Sequence, residues 1–247
     1  MTTGTLPLVS TWIGRWHIAV SREVGALGAP VDAGKPLRWH PAVQRQGVPL
    51  GYQAVMSVLA PHLSAGEAGR PLQALDCGVG AGHFTAALAQ GYDAPLACTA
   101  TDVSPGLLEA AAQRFAALDI PVATVQADSR RLPFPSCQFD VVIQAHMLEH
   151  HSDWHRSLAE LLRVLRPGGT LIVAVTRRSL LSLPLRLMWH MRAFTPLSLC
   201  QLLSFSGFTR VMPLPPVGPR AFRQLTLFAA ARKPLQPNLN VKPSTGV

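Results

Sequence analysis

Five short apolar runs alternate with amphipathic stretches along the middle of the chain. They predict buried strands at Gln73–Gly78, Pro95–Asp102, Val122–Asp128, Phe139–Ala145 and Thr170–Thr176. The segments between them predict helices at His83–Gln90, Pro105–Ala117 and Asp153–Leu165. Two more strands are predicted near the carboxyl terminus, within FTRVMPL and QLTLFAAARK. Strands that alternate with helices of this length indicate right-handed βαβ units and a parallel sheet.

The flanking segments have weaker patterns. Tyr52–Leu63 has apolar residues at helical spacing, and Pro61 is expected to end or kink that helix. Residues 1–45 are rich in Gly, Pro and Trp and predict an irregular arm or short helices. We therefore divide the chain into an arm with helices over 1–70, expected to cover the substrate side, a main domain over 71–233, and a flexible tail over 234–247.

Composition narrows the class of protein. Hydrophobic residues make up 48% of the chain and charged residues only 14%, against a usual charged share of about 25%, which excludes a disordered chain. No run approaches the roughly 18 apolar residues that a membrane span needs, and the first residues lack the charged start of a secretory signal. The four cysteines form no CxxC pair, so neither a disulfide framework nor a zinc knuckle is expected. These features favour a cytoplasmic protein.

Acids and glycines gather where the predicted strands end. The first strand leads into Asp76-Cys77-Gly78-Val79-Gly80-Ala81-Gly82, the second ends at Asp102, and the third ends at Asp128-Ser129. In open α/β sheets ligands bind beyond the carboxyl ends of the strands, where an acid can accept hydrogen bonds from ribose hydroxyls. An acid after the third strand suits an adenine edge. The pattern predicts a site for an adenosine-containing cofactor.

The glycine turn discriminates between such cofactors. The dinucleotide motif GxGxxG needs a third glycine at position 83, which is His83 here. Asp76 within the turn would repel a pyrophosphate and attract a cationic amino-acid group. S-adenosylmethionine (SAM) has that group, a sulfonium and no phosphate. The alternative is an α/β domain with acidic turns by chance, which acids at three successive strand ends disfavour.

On these residues the chain resembles the class I SAM-dependent methyltransferases. ALDCGVGAG is similar to their first motif, CTATDVSPGLLEAA to their ribose-binding segment, and LAELLRVLRPGGTLIVAV to a later family block. ADSRRLPFPSCQFDVVIQAHMLEH resembles the adenine segment and fourth strand. The resemblance covers Gln73–Thr176 and is closest to ubiquinone/menaquinone-type methyltransferases. It implies a Rossmann-like α/β fold: a seven-stranded, mostly parallel sheet with helices on both faces.

The resemblance also implies a cofactor-binding set. Its members are Asp76, Gly78, Gly80, Gly82, Asp102, Val103, Asp128, Ser129 and Gln144. Asp76 would lie near the methionyl amine within the glycine turn, and Asp102 would bind the ribose. Asp128, with Ser129 beside it, would accept from the adenine amino group while Val103 packs on the ring. Gln144 would mark where the backbone meets the methionine portion.

Histidines follow the fourth predicted strand. In the resembling family this loop borders the methyl-transfer site, so His146 and His150 are candidates for a general base or a substrate-orienting group. His146 to His150 also matches the H-x-x-E-H metalloprotease pattern. That pattern needs a helix and a further downstream ligand, and the acids that follow lie too near on the same segment. Other interpretations are a loop with a satisfied or exposed histidine or two, and a fortuitous metal site using His146, His150, His151 or His155; we expect no metal.

Charge is distributed unevenly along the chain. Residues 161–247 contain 12 Lys/Arg and no Asp/Glu, whereas the whole chain carries +9. The asymmetry indicates an anionic partner or a solvated basic face. The apolar, arginine-bearing segment 177–195 is expected to be a lid insertion, with Arg177, Trp189 and Arg192 contacting the acceptor; the alternative is a helix packed on the sheet.

The combined hypothesis is a SAM-dependent methyltransferase. It would move a methyl group by in-line displacement to a small lipophilic acceptor, at O, N or C, with peripheral membrane contact through the basic half. A nucleic-acid methyltransferase is disfavoured, because Gln144-Ala145-His146-Met147 stands where an Asn/Asp-Pro-Pro-aromatic motif is usual. A catalytically silent SAM-binding scaffold or partner subunit is the third alternative.

Overall fold

A seven-stranded sheet forms the centre of the computed structural model, which describes residues 6–13, 16–22, 47–63, 70–150, 153–189 and 191–235. The strands are β3 (Leu72–Cys77), β4 (Leu96–Asp102), β5 (Val122–Gln126), β6 (Phe139–Ala145), β7 (Leu165–Thr176), β8 (Thr209–Pro213) and β9 (Thr226–Arg232). Their order is β5-β4-β3-β6-β7-β9-β8, and only β9 runs antiparallel to its neighbours in this sheet. The expected mostly parallel seven-stranded sheet is confirmed.

Helices cover both faces of this sheet. They are α1 (Val48–Leu59), α2 (His83–Gly91), α3 (Pro105–Ala117), α4 (Trp154–Val164), α5 (Leu183–Trp189), α6 (Pro196–Phe205) and α7 (Arg220–Leu225). Apolar residues of α4 and α6 pack against one face in a core that includes Leu75 and Val142. Residues of α1, α2 and α7 pack against the opposite face with Ile143 and Phe228. Neighbouring positions of a strand thus feed opposite cores, as a two-residue period requires.

The strand order places a crevice at the centre of the sheet. β3 pairs with β4 on one side and with β6 on the other, so the connections on its two sides run in opposite directions. Such a reversal opens a gap beyond the carboxyl ends of the strands, where ligands bind in open α/β sheets. The residues singled out from the sequence follow these same strand ends.

Several predicted boundaries and one predicted segment differ from the structure. The third predicted strand ends at Gln126 rather than Asp128. Residues 6–13 and 16–22 form an antiparallel pair, β1 (Leu6–Ile13) and β2 (Trp16–Arg22), where the composition predicted an irregular arm or short helices. Helix α1 begins before the predicted Tyr52, since Gly47 adopts a left-handed φ of 74° that starts the helix at Val48. β7 begins at Leu165 rather than Thr170, because Leu165 pairs with Phe139 across a register shift.

Other predicted elements hold or lie outside the described residues. Helix α1 gives way to a 3-10 turn at Ala60–His62, as Pro61 predicted. Residues 64–69 of the predicted first part and the tail beyond residue 235 lie outside the described residues. No helix of the described part of the chain is long and apolar enough to cross a membrane.

An ion cluster joins the amino ends of the central strands. Nη1 and Nη2 of Arg70 each donate to Asp140 at 2.8 Å, and Nη1 of Arg166 donates to the same carboxylate at 2.9 Å. The backbone amide of Gln73 adds a fourth donor. Although burial raises the pKa of Asp140, these partners outweigh it and hold the pKa below its ordinary value. The cluster holds together the amino ends of the central strands, at the opposite end of the sheet from the crevice.

Candidate functional site

The turn after β3 depends on three glycines. Gly78, Gly80 and Gly82 have φ values of 82°, 52° and 77°, in the left-handed region that glycine tolerates best. A Cβ on Gly78 would overlap the sulfur of Met147, from the loop after β6, whereas a Cβ on Gly80 would meet nothing within 4 Å. The turn is therefore packed at its first glycine and open at its second, where a ligand can approach the backbone.

Asp76 lies buried at the end of β3 with unused hydrogen-bonding capacity. The Thr85 hydroxyl of α2 donates to Asp76 Oδ2 at 2.6 Å. Oδ1 is buried and has no hydrogen-bond partner within the described chain. Burial, with a smaller contribution from the charge of Asp102, raises the pKa of Asp76 to about 7. A cationic ligand group beside Oδ1 would supply the missing partner.

Asp102 links the ends of β3 and β4. Its carboxylate accepts from the Gly80 amide at 3.1 Å and from the Ser104 amide at 3.0 Å. Burial raises the pKa of Asp102, against the lowering effect of these amides. Val103 follows, half-buried, and its carbonyl accepts from Gln126. A carboxylate fixed in this way retains lone pairs for ribose hydroxyls.

The expected adenine-binding acid is already engaged. Arg130 donates from Nε and Nη2 to Asp128, at distances of 2.6 to 3.0 Å, and its backbone amide donates to the same carboxylate. The neighbouring Ser129 hydroxyl is buried and has no hydrogen-bond partner in the described structure. Sequence reasoning missed Arg130, although its position two residues after Asp128 is a spacing typical of side-chain turn contacts.

Gln144 points away from the crevice. Its side chain is fully buried, and Nε2 donates to Ser157 of α4 at 3.0 Å, which places the amide between the sheet and that helix. Its backbone still stands at the carboxyl end of β6, where the methionine portion was expected to meet it. Any contact of Gln144 with a cofactor would therefore involve the backbone.

His146 contacts a buried acid within the loop after β6. Its Nδ1 lies 2.9 Å from Oε1 of Glu149, a side chain that is fully buried. The same Oε1 accepts from the Thr176 amide at 3.0 Å and the Thr176 hydroxyl at 2.9 Å, at the end of β7. Burial acts to raise the pKa of Glu149, but His146, with a smaller effect of His150, outweighs it and lowers the pKa.

Glu149 therefore defines the tautomer of His146. Since the ionised carboxylate can only accept, Nδ1 carries the proton and Nε2 is the nitrogen able to take one. Sequence reasoning singled out His146 and His150 but gave Glu149 no role. Residues 146–150 form a turn and not a helix, so the metalloprotease interpretation lacks its required geometry. In the described part of the chain, no three His, Cys, Asp or Glu side chains are placed to hold a metal ion.

Tyr52 of α1 reaches the same region from the other face. Its ring stacks on Phe84 with centroids 4.4 Å apart and meets Phe222 and Phe228 edge-on at 5.6 and 6.1 Å. Burial, and then the charges of Asp76 and Glu149, raise the pKa of Tyr52. The phenol therefore lies within the field of both acids, at the apolar wall of the crevice.

The expected lid segment contains a helix and an exposed apolar surface. Leu180, Leu181, Leu183 and Leu187 are 43–89% exposed, which argues against the alternative of a helix packed on the sheet through these leucines. The Arg192 amide donates to the Glu149 carbonyl at 3.2 Å, while its side chain is exposed. Arg177 follows β7 directly and lines an open groove, and the side chain of Trp189 lies outside the described structure.

Comparison with known proteins gives the family context of this site. Residues 75–173 match a methyltransferase domain. The chain is 34% identical over 104 residues to a demethylmenaquinone methyltransferase of Deinococcus radiodurans, a match that covers 42% of each chain. It is 35% identical over 102 residues to the ubiquinone/menaquinone biosynthesis C-methyltransferase UbiE of Bordetella parapertussis, covering 41% of this chain and 40% of that one. The chain thus matches about two fifths of the length of these curated relatives.

A solved structure extends the comparison beyond the matched segment. A SAM-dependent methyltransferase from Aquifex aeolicus superposes with a TM-score of 0.61 over 80% of this chain and 98% of its own, at 17% identity. At that identity the likeness concerns the fold. Residues 75–173 thus match a methyltransferase domain, and the sheet that contains them has the Rossmann-like fold of the class I methyltransferases.

Proposed function

We propose that this protein is a SAM-dependent methyltransferase acting on a small lipophilic acceptor. The observation that carries the proposal is the presence of three unsatisfied buried polar atoms at strand ends that border the crevice. Asp76 Oδ1, Ser129 Oγ and Glu149 Oε2 are buried without hydrogen-bond partners among the described residues, and they lie at or beyond the carboxyl ends of β3, β5 and β6. Buried polar atoms without partners are costly, so their position at these strand ends supports a polar ligand there.

The residues present fit SAM group by group. Asp76 Oδ1 would receive the methionyl ammonium, and Asp102 would accept from the ribose hydroxyls. Ser129 would contact the adenine edge, because Arg130 already occupies Asp128. SAM supplies a methyl group on a sulfonium, a good leaving group, so the protein needs no covalent nucleophile.

The chain's own chemistry would be orientation and proton removal. His146 presents Nε2 as a base for a proton leaving the acceptor, and Glu149 holds the imidazole in the required tautomer. His150, beside Glu149 along the chain, is the second candidate for contact with the acceptor. The stacked rings of Tyr52 and Phe84 exclude water from one side of the crevice.

The acceptor's lipophilic character rests on the lid and on relatives named for quinone methylation. Four exposed leucines lie within eight residues of 180–187, more apolar surface than a solvated loop needs. Arginines flank them without an acid anywhere beyond residue 160. The same surface suits peripheral contact with an anionic membrane.

The test combines cofactor binding with an untargeted acceptor assay. Calorimetry should show binding of SAM and of S-adenosylhomocysteine, weakened by Asp102→Ala and unaffected by Glu109→Ala, an exposed acid on α3. Incubation with methyl-labelled SAM and fractionated lysate should then place label in the organic phase. Failure of folded protein to bind either ligand would overturn the proposal.

Two further outcomes separate the alternatives. Binding without label transfer to any fraction would indicate a silent scaffold, and label confined to RNA or DNA would indicate a nucleic-acid methyltransferase. The lid has a matched control: Leu187→Glu should lower organic-phase label, whereas Leu197→Glu on α6 should not. The two leucines are 68% and 67% exposed, so a general effect of surface charge would act on both.

A further inference from the structure

A groove lies beside the lid, at the carboxyl end of β7. It has a volume of about 500 Å³ and runs between residues 177–181 and the end of α7. Two guanidinium side chains line it, those of Arg177 and Arg223, together with Leu180, Leu181 and Pro216. The groove therefore joins two cations to an apolar surface.

Positive charge in this groove has no neutralising acid in its lining. Arg177 Nε is buried and has no hydrogen-bond partner within the described structure. The chain also contains no Asp or Glu beyond residue 160 that could approach from the same half. A buried charged donor without a partner is costly, and a carboxylate or phosphate between two guanidiniums would satisfy it.

The apolar part of the groove calls for a ligand with a hydrocarbon portion. Leu180 is 89% exposed and Leu181 59% exposed. Covering such side chains contributes about 25 cal/mol for each Å² of apolar surface removed from water. A free inorganic anion would leave this surface uncovered, whereas an amphiphile would use both parts of the groove.

The position of the groove relates it to the crevice. Arg177 follows Thr176, whose amide and hydroxyl donate to Glu149, which in turn holds His146. β7 is separated from β3 only by β6, and two strand spacings amount to about 10 Å. A single small molecule can span that distance.

We propose that Arg177 and Arg223 bind the acidic group of an amphiphilic acceptor, whose methylated atom lies near His146, beyond the end of the neighbouring strand β6. This assignment rests on the proposed function and adds the substrate class, an acceptor with a carboxylate or phosphate attached to an apolar body. The arginines fix its direction, since a neutral lipophile would have no preferred end in the groove.

Ligand-observed NMR with octanoate and 1-octanol tests the groove without relying on turnover. The two probes share a chain length and differ in charge. With protein saturated by S-adenosylhomocysteine, octanoate should bind at least roughly tenfold more tightly than 1-octanol. Arg177→Met and Arg223→Met should each remove most of that preference while keeping an apolar stem. Arg220→Met is the matched control, because Arg220 is an exposed arginine on the same short helix that does not line the groove.

Three results would overturn the proposal. The first is equal binding of octanoate and 1-octanol, and the second is an equal loss of the octanoate preference in the Arg220→Met and Arg223→Met variants. The third is sedimentation with phosphatidylglycerol vesicles that depends on Arg177, without any binding of octanoate. The last result would make the groove a membrane contact. Binding of S-adenosylhomocysteine in the same samples separates the two proposals. If S-adenosylhomocysteine binds and octanoate does not, only the groove assignment fails. If octanoate binds in an arginine-dependent way and S-adenosylhomocysteine does not bind, the groove assignment holds and the proposed cofactor is wrong.

Discussion

The Thr85 hydroxyl donates to Asp76 over 2.6 Å and satisfies one carboxylate oxygen, while the other is buried without a partner in the described structure. This half-satisfied acid is the best-defined feature of the crevice. Burial raises its pKa to about 7, so proton uptake and binding of a cationic ligand compete for the same carboxyl group near neutral pH. The first two predictions follow from this competition.

Affinity for S-adenosylhomocysteine should rise with pH up to about 7. The ligand's ammonium group favours the ionised carboxylate, and below a pKa of about 7 the protonated form predominates. Each unit of pH below that value should weaken binding by up to about tenfold. Calorimetry from about pH 5.5 to pH 7.5 checks this. Asp76→Asn should bind weakly with little dependence on pH; a flat wild-type profile would contradict the assignment.

Stability of the ligand-free protein should change in the opposite direction. An ordinary Asp loses its proton in the unfolded state near pH 3.8, whereas folded Asp76 retains it up to about pH 7. Between pH 3.8 and about pH 7 the folded state binds more protons than the unfolded state. The contribution of Asp76 to the free energy of unfolding therefore falls as the pH rises through this range, and is constant above about pH 7. Asp76→Asn should therefore be more stable than wild type at pH 8, by about 2 to 4 kcal/mol, and nearly equal near pH 4. Urea unfolding at both pH values measures the difference. A constant difference would exclude this cause.

Glu149→Gln should separate turnover from cofactor binding. The variant retains an oxygen for Thr176 but can no longer fix the proton of His146 on Nδ1 as a carboxylate does. We expect turnover to fall on the order of 10²-fold, as for loss of general-base catalysis, with affinity for S-adenosylhomocysteine unchanged. His146→Ala should have a similar effect, and His155→Ala, an exposed histidine on α4, should have none. Parallel losses of binding would indicate a structural role instead.

Gly78 and Gly80 should differ in their tolerance of alanine. Both have positive φ, but a Cβ on Gly78 also overlaps Met147. Gly80→Ala should cost about 1 to 2 kcal/mol from backbone strain alone, and Gly78→Ala roughly 2 kcal/mol more. Adding Met147→Ala should recover part of the Gly78→Ala loss by relieving the overlap, measured by thermal unfolding. Equal costs for the two single variants would show that Met147 yields easily.

Local pattern predicted the strand ends well, because a buried parallel strand leaves little freedom in its sequence. Phe139–Ala145 and Pro105–Ala117 have the predicted bounds, and Asp102 ends its strand as expected. Strands β1 and β2 were not predicted, because the Gly, Pro and Trp residues in and around them mask the two-residue alternation of WHIAV. β7 was predicted too short because Leu165 pairs with Phe139 on the far side of RPGG, which itself has no partner in β6 and forms the irregular part of the strand.

The site was predictable in composition and less so in connectivity. Acids at successive strand ends identify the crevice, since topology alone brings those ends together. Whether a given acid can accept hydrogen bonds from a ligand depends on its other hydrogen-bond partners, which can come from distant parts of the sequence. Glu149 is held by Thr176 of another strand, 27 residues away, and no local pattern encodes that contact. The pairing of Asp128 with Arg130 is local, but only the folded geometry shows that it uses the carboxylate that adenine was expected to meet.

The aromatic cluster around Tyr52 has a consequence for exchanging segments between relatives. Tyr52 and Phe222 flank the segment that matches the methyltransferase domain, and Phe84 lies within it, yet the three rings are in one contact cluster. A chimera that imports residues 75–173 from a relative would set foreign side chains against the native Tyr52 and Phe222. The segment exchanged in a chimera should therefore include every ring of this aromatic cluster. A successful graft would transfer α1 and α7 together with the matched segment.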